Sequence, residues 1–78
     1  MNEKELKQNG FVFKSKGNLD DDNYFKCWKL KIRDIAIYYT IEYTAENDVI
    51  TDYWEVNEHK INNPTKRDIL TLIRILEN

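Results

Sequence analysis

The stretch CWKLKIRDIAIYYTIEY, residues 27–43, decides the fold. Its apolar side chains occupy every second position, on even numbers before Arg33 and on odd numbers after Asp34: Trp28, Leu30, Ile32, Ile35, Ile37, Tyr39, Ile41 and Tyr43. Such alternation is typical of strands that bury one face of a sheet. A two-residue turn at Arg33-Asp34 keeps both strands facing the same core despite the change of parity. The stretch therefore predicts two antiparallel strands, 24–32 and 35–44.

Weaker strand patterns flank this hairpin. GFVFKSK, residues 10–16, predicts a first strand, and the Gly-, Asn- and Asp-rich run 17–23 predicts a loop after it. Residues 49–56 alternate again and follow a loop at 45–48. A tight turn at Asn57-Glu58 then allows Lys60 and Ile61 to run back as a short further strand.

Both ends of the chain carry helix signals. Asn2 and Glu5 have the spacing of a capping box, and Gly10 follows as a stop signal, which predicts a helix over residues 2–9. Thr65 and Asp68 have the same spacing after Pro64. Behind them, apolar residues recur at the i, i+3, i+4, i+7 spacing of an amphipathic helix: Ile69, Leu72, Ile73 and Leu76.

These elements together predict a two-layer α+β domain. We expect an antiparallel sheet of four strands, with a short fifth as an option, a C-terminal amphipathic helix packed on one face, and a short N-terminal helix. The inner layer should comprise Trp28, Leu30, Ile32, Ile35, Ile37, Tyr39, Ile41, Trp54, Ile69, Leu72, Ile73 and Leu76.

Length and composition limit the classes of protein that remain. A chain of 78 residues has room for one domain, and 41% hydrophobic residues are too many for a disordered chain. The net charge of −2 is unlike that of a domain that binds nucleic acid mainly through phosphates. No apolar run approaches the roughly 18 residues of a membrane span, and the first ten residues lack a signal-peptide core. One cysteine and no export signal predict a cytoplasmic protein.

The sequence predicts no catalytic, cofactor or metal site. Cys27 is the only cysteine and His59 the only histidine, so neither a disulfide within the chain nor a structural zinc site is expected. His59 lies in a predicted turn without a paired nucleophile. The acidic run Asp20–Asp22 lacks the interleaved spacing and the glycine of a calcium loop, and a solvated turn explains it more simply.

The sheet face turned away from the C-terminal helix is the candidate functional surface. Its predicted members include cationic, aromatic and small polar side chains: Phe25, Cys27, Lys29, Lys31, Arg33, Ala36, Tyr38, Thr40, Glu42, Val49, Thr51, Tyr53 and Glu55. Three interpretations remain open. The face is a solvated surface, or a protein-binding or dimer surface formed by Phe25, Lys29, Lys31, Arg33, Tyr38 and Tyr53, or a nucleic-acid platform that uses Lys29, Lys31, Arg33 and Tyr38.

Three segments resemble small accessory proteins of phages and prophages from AT-rich bacteria: MNEKELKQNGFVF at 1–13, YFKCWKLKI at 24–32 and PTKRDILTLIRIL at 64–76. The resemblance spans nearly the whole chain, and its motifs are structural rather than catalytic. It implies a protein that binds a host protein in the host cytoplasm, as inhibitors of anti-phage defence such as anti-CRISPRs do. It carries no functional residue over to this chain.

We therefore expect a non-enzymatic protein-binding module, with a nucleic-acid binder as the alternative. A homodimer is a further hypothesis, because one small core gives only about 3–5 kcal/mol of net stability. Ile75 falls outside the apolar stripe of the C-terminal helix and is the predicted dimer contact.

Overall fold

The computed structural model describes all 78 residues and has the expected α+β architecture. Two helices, α1 and α2, lie at the ends of the chain, and a five-stranded antiparallel sheet lies between them. The elements are α1 (Glu3–Gln8), β1 (Val12–Asn18), a short 3-10 turn (Asp20–Asp22), β2 (Tyr24–Ile32), β3 (Ile35–Tyr43), β4 (Val49–Val56), β5 (His59–Ile61) and α2 (Lys66–Glu77).

The strands lie in the sheet in chain order, β1-β2-β3-β4-β5, so each pairs with its neighbour in sequence. The register of β2 on β3 runs from Tyr24 opposite Tyr43 to Ile32 opposite Ile35 without a break. One row of side chains crosses all five strands on the inner face: Phe13, Trp28, Tyr39, Trp54 and Ile61. Within it the Tyr39 and Trp54 rings stack at 3.9 Å between centroids.

Both helices cover this inner face. Leu6 from α1 and Ile69 and Ile73 from α2 are buried in one cluster with the inner-face residues of the sheet. Phe11, between α1 and β1, is also buried, and its ring meets Trp54 edge-on at 5.8 Å. All twelve predicted inner-layer residues belong to this core or pack against it, so that prediction is confirmed. Leu6, the one strong apolar anchor that the sequence offers in α1, and Phe11 complete the core; neither was in the predicted inner layer.

The helix caps follow the predicted chemistry. In α1 the Asn2 side chain accepts from the Glu5 amide, and in α2 the Thr65 side chain accepts from the Asp68 amide; both capping boxes are closed. Glu3 of α1 accepts a hydrogen bond from Lys26 of β2 at 2.9 Å, and Glu5 pairs with Lys66 at the start of α2. Ion pairs thus join α1 to the sheet and to α2.

Two β-bulges separate the structure from a simple alternating pattern. An extra residue, Lys14, interrupts β1, and an extra residue, Ile50, interrupts β4. Because a bulge reverses the facing of the residues beyond it, Val49 is paired with Tyr43 of the inner face. The prediction that Val49 belongs to the outer face was therefore wrong. The first strand also begins at Val12 and ends at Asn18, two residues later than expected at each end.

The turn between β4 and β5 holds Glu58 in a backbone conformation that is unfavourable for glutamate. Asn57 and Glu58 both have positive φ, 48° and 74°, as a type I′ hairpin requires. Asn tolerates this conformation, whereas for Glu it costs about 1 kcal/mol or more. Glu58→Gly should therefore raise the free energy of unfolding by about 1 kcal/mol in urea titrations. Glu46, in the preceding loop, is not among the positive-φ residues, so Glu46→Gly should give no gain; equal effects of the two changes would contradict this account.

Alkaline pH should destabilise the fold. The pKa of Tyr39 is raised above its ordinary value, chiefly by burial and further by the hydrogen bond that its hydroxyl donates to Asp52, and burial also raises the pKa of Tyr43. Groups with a raised pKa in the folded chain favour folding below their unfolded pKa, about 10 for tyrosine, and this contribution is lost as the pH rises further.

The free energy of unfolding, measured in urea at a series of pH values, should therefore fall above about pH 10. Tyr39→Phe keeps the ring and removes one of the titrating hydroxyls, so its decline should be shallower than that of the wild type. Parallel curves for the two proteins would show that Tyr39 does not carry the effect.

Candidate functional site: the outer face of the sheet

The outer face is the side of the sheet that neither helix covers. The register arranges its side chains in rows that run across the strands. The central row is Val12, Lys29, Tyr38, Glu55 and Lys60, and the next is Ser15, Cys27, Thr40 and Tyr53. Neighbouring strands lie about 4.8 Å apart, and successive rows about 7 Å apart. The outer face is therefore a nearly continuous surface on which positions can be compared row by row.

Tyr38 lies at the middle of the outer face and is half-buried. Two ammonium groups lie over its ring, Lys14 Nζ at 4.5 Å and Lys29 Nζ at 5.6 Å from the centroid. Each such contact contributes about 0.5–1 kcal/mol at an exposed site. A hollow of about 230 Å³ beside the ring is lined by Lys14, Cys27, Tyr38, Glu55 and Glu58. Tyr38 thus offers one aromatic anchor with both signs of charge next to it.

Tyr53 and Phe25 are the other aromatic anchors of the outer face. Lys60 Nζ lies 5.1 Å from the centre of the Tyr53 ring. Phe25 lies against Gly17 of β1, where an added Cβ would come within 2.3 Å of the Phe25 ring. Glycine at this position leaves room for the Phe25 ring to pack against the backbone of the neighbouring strand.

Charge is divided between the two halves of the outer face. No Lys or Arg occurs from Asp34 to His59, and this segment carries seven carboxylates: Asp34, Glu42, Glu46, Asp48, Asp52, Glu55 and Glu58. Of these, Glu42 and Glu55 lie on the outer face of β3 and β4, whereas Lys29 and Lys31 lie on the outer face of β2, with Lys60 at the far edge. This division is visible in the sequence as a run without cations, although the alternation of apolar residues does not reveal it.

The structure brings together five of the six residues predicted for partner binding. Phe25, Lys29, Lys31, Tyr38 and Tyr53 all lie on the outer face by register. Arg33 lies instead at the tip of the β2–β3 turn, with φ of 57°. Ile75, predicted as a dimer contact, is 63% exposed on α2, on the opposite side of the molecule.

Residues with potential catalytic or metal-binding chemistry lie apart from one another. His59 begins β5 opposite Val56, and the Cys27 thiol contacts the Trp28 carbonyl at 3.9 Å. No group of three or more His, Cys, Asp or Glu side chains is arranged to hold a metal ion. The largest surface hollow, about 700 Å³, lies along α2 and has Leu70 as its one apolar residue among Lys66, Arg67, Thr71 and Arg74. It offers fewer anchors for a protein partner than the outer face does.

Neither helix has the length and apolar composition that crossing a membrane requires. Comparison of the chain with protein-family models, with curated proteins and with solved structures gave no match.

The contact between Gly17 and Phe25 can be tested by a double-mutant cycle. In the wild type, Gly17→Ala should lower the free energy of unfolding by about 1 kcal/mol, because the new methyl group displaces the Phe25 ring. With Phe25→Ala already present the clash is gone, so the same change should be neutral or stabilising, since alanine suits a strand better than glycine. Urea unfolding of the four proteins measures both effects. A loss of equal size in both backgrounds would show that Phe25 does not lie on Gly17.

Proposed function

We propose that this chain is a non-enzymatic protein-binding module that engages its partner through the outer face. The observation that carries the proposal is the group of half-buried aromatic anchors, Phe25, Tyr38 and Tyr53, on the one sheet face without a covering layer. Interfaces between proteins are enriched in such aromatic residues at their centre and have a polar rim. Here charged residues lie directly beside the anchors: Lys29 and Glu55 flank Tyr38 in the central row, and Lys31 lies one row further along β2.

The chemistry of the outer face defines the partner that fits it. A protein surface that presents carboxylates over β2 and cations over β4, with apolar groups between them for Tyr38 and Tyr53, would be complementary. Complementary charge speeds encounter and selects orientation more than it adds affinity. The resemblance to phage accessory proteins extends the proposal to a host protein, so that binding would inhibit or modulate an anti-phage defence component in the host cytoplasm.

Nucleic-acid binding is the competing proposal for the outer face. A base would need a free aromatic ring on which to stack. The rings of Tyr38 and Tyr53 already carry the chain's own lysine ammonium groups, and Glu42 and Glu55 would repel phosphates from the neighbouring strands. These contacts favour a protein partner.

The experiment places a photo-crosslinking benzoylphenylalanine at position 53 in the chain expressed in a bacterial host. Irradiation should give a defined adduct with one host protein, resistant to nuclease. The same group at position 7, which is exposed on α1, serves as the matched control and should not give that adduct. Tyr38→Ala combined with the probe at position 53 should reduce the adduct by about tenfold, as loss of an aromatic anchor predicts.

Two results would contradict the proposal. An adduct that forms equally from position 7 would place the binding surface on the helices. An adduct that disappears after nuclease treatment, together with oligonucleotide binding that weakens steeply with salt, would favour the nucleic-acid alternative. An adduct of twice the chain mass reports a second copy of the chain and is counted separately.

A further inference from the structure

We infer that the outer face is self-complementary and that two copies of the chain pair through it, face to face, until a partner displaces one of them. The inference rests on the proposed function in one respect, that the outer face is a protein-binding surface. It adds that a second copy of the chain covers this surface when no partner is bound. Self-association would then regulate binding of the partner.

The distribution of charge on the rows supports a second copy as the occupant. In the central row Lys29 of β2 and Glu55 of β4 lie on either side of Tyr38, each one strand away from it. Consider a two-fold axis that is parallel to β3 and lies midway between the two copies. It places β2 of each copy opposite β4 of the other copy, and it places each row opposite the same row of the other copy. Lys29 of each copy then faces Glu55 of the other copy, and this contact occurs twice in the dimer.

The remaining residues of the central row are consistent with the same axis. Tyr38 lies on β3, next to the axis, so the Tyr38 side chains of the two copies meet there at their edges and hydroxyl ends, while the ring faces keep their own lysine contacts. Val12, which is 62% exposed in the single chain, faces Lys60 of the second copy. The aliphatic part of a lysine side chain can cover such an apolar group while its ammonium group stays in water.

The other in-plane axis does not give complementary contacts. A two-fold axis perpendicular to the strands would place β2 on β2 and β4 on β4, so that Lys29 would face lysine and Glu55 would face glutamate. Like charges opposed in an interface cost affinity. The charge distribution therefore selects one orientation of the second copy.

The size of the outer face permits a dimer of modest stability. Strands of 7, 9, 9, 8 and 3 residues, at about 3.3 Å per residue and about 4.8 Å between strands, give a footprint of about 570 Å² per copy, or about 1,100 Å² for the pair. This lies at the lower bound of specific interfaces, which suits a contact that a partner must be able to displace. Glu42, on β3, faces its own counterpart near the axis, and this repulsion weakens the pair.

The test is a pair of charge reversals, Lys29→Glu and Glu55→Lys, made in separate chains. Wild-type protein should be dimeric by light scattering at about 100 μM, because a modest interface gives a micromolar Kd. Each single variant introduces two like-charge contacts per dimer and should raise the Kd by about tenfold for each contact, or about a hundredfold in all. Each should therefore be mostly monomeric at about 10 μM, a concentration at which the wild-type protein is still mostly dimeric.

Mixing the two variants should restore the dimer. A chain with Glu at positions 29 and 55 meets a chain with Lys at both positions, so both contacts in the mixed pair are again complementary. Glu42→Gln should shift the wild-type equilibrium in the opposite direction, towards tighter association, because it removes the repulsion at the axis. Circular dichroism verifies that every variant is folded, and Lys29→Asp mixed with Glu55→Arg replaces the pair if one reversed chain fails to fold.

Several outcomes would overturn the inference. These are wild-type protein that stays monomeric at about 1 mM, single variants that remain dimeric, or a mixture that stays monomeric. A dimer that is abolished by Ile75→Glu and unaffected by Lys29→Glu would place the contact on α2 instead. Any of these results leaves the host-protein adduct from position 53 as a separate measurement, so failure of the dimer and failure of the proposed function are distinguishable.

Discussion

The inner-face row of Phe13, Trp28, Tyr39, Trp54 and Ile61 is the constraint on which the rest of the structure depends. It crosses all five strands on the inner face, and its centre is the stack of Tyr39 on Trp54. Side chains alternate between the faces of a strand, so a slip of one residue would move this whole set into water. Burial of Trp28, Tyr39 and Trp54 therefore sets the register of the three central strands, and the register sets the composition of the opposite face.

The outer face follows from that burial. Once Trp28 and Tyr39 face the helices, Lys29 and Tyr38 must face away from them, and they do so side by side. The anchors and charges of the candidate binding surface are thus the residues left over when the core is formed. In a chain of 78 residues, where both helices are needed to cover the inner face, no element remains to cover the outer one.

The structure also explains why the outer aromatic residues keep a defined position without a covering layer. Tyr38 is flanked by two lysine side chains and Tyr53 by one. Phe25 lies on a glycine whose missing side chain leaves room for the ring. These contacts reduce the rotamer freedom that a partner would otherwise have to restrict, which lowers the entropic cost of binding. They also occupy ring surface that a nucleic-acid base would need.

Much of the fold was predictable from local signals. The parity change at Arg33-Asp34 predicted the central hairpin, and the spacing of Thr65, Asp68 and the apolar residues after them predicted α2. The failures have a common physical origin. The extra residues Lys14 and Ile50 form bulges. A bulge is defined by pairing with a neighbouring strand, so the alternation of residues within one strand does not predict it. Leu6 is likewise buried because the six-residue helix α1 packs against side chains of the sheet and of α2. The sequence of α1 alone does not show this packing.

The sequence by itself determined which residues alternate, where the helices begin and that cations are absent from residues 34–59, because these are properties of neighbours along the chain. Only the tertiary structure decided that Lys29, Tyr38 and Glu55 share one row, that Gly17 accommodates Phe25, and that Val49 turns to the inner face. Those relations join residues from different strands, and strand register is set by burial of the whole core rather than by any one segment.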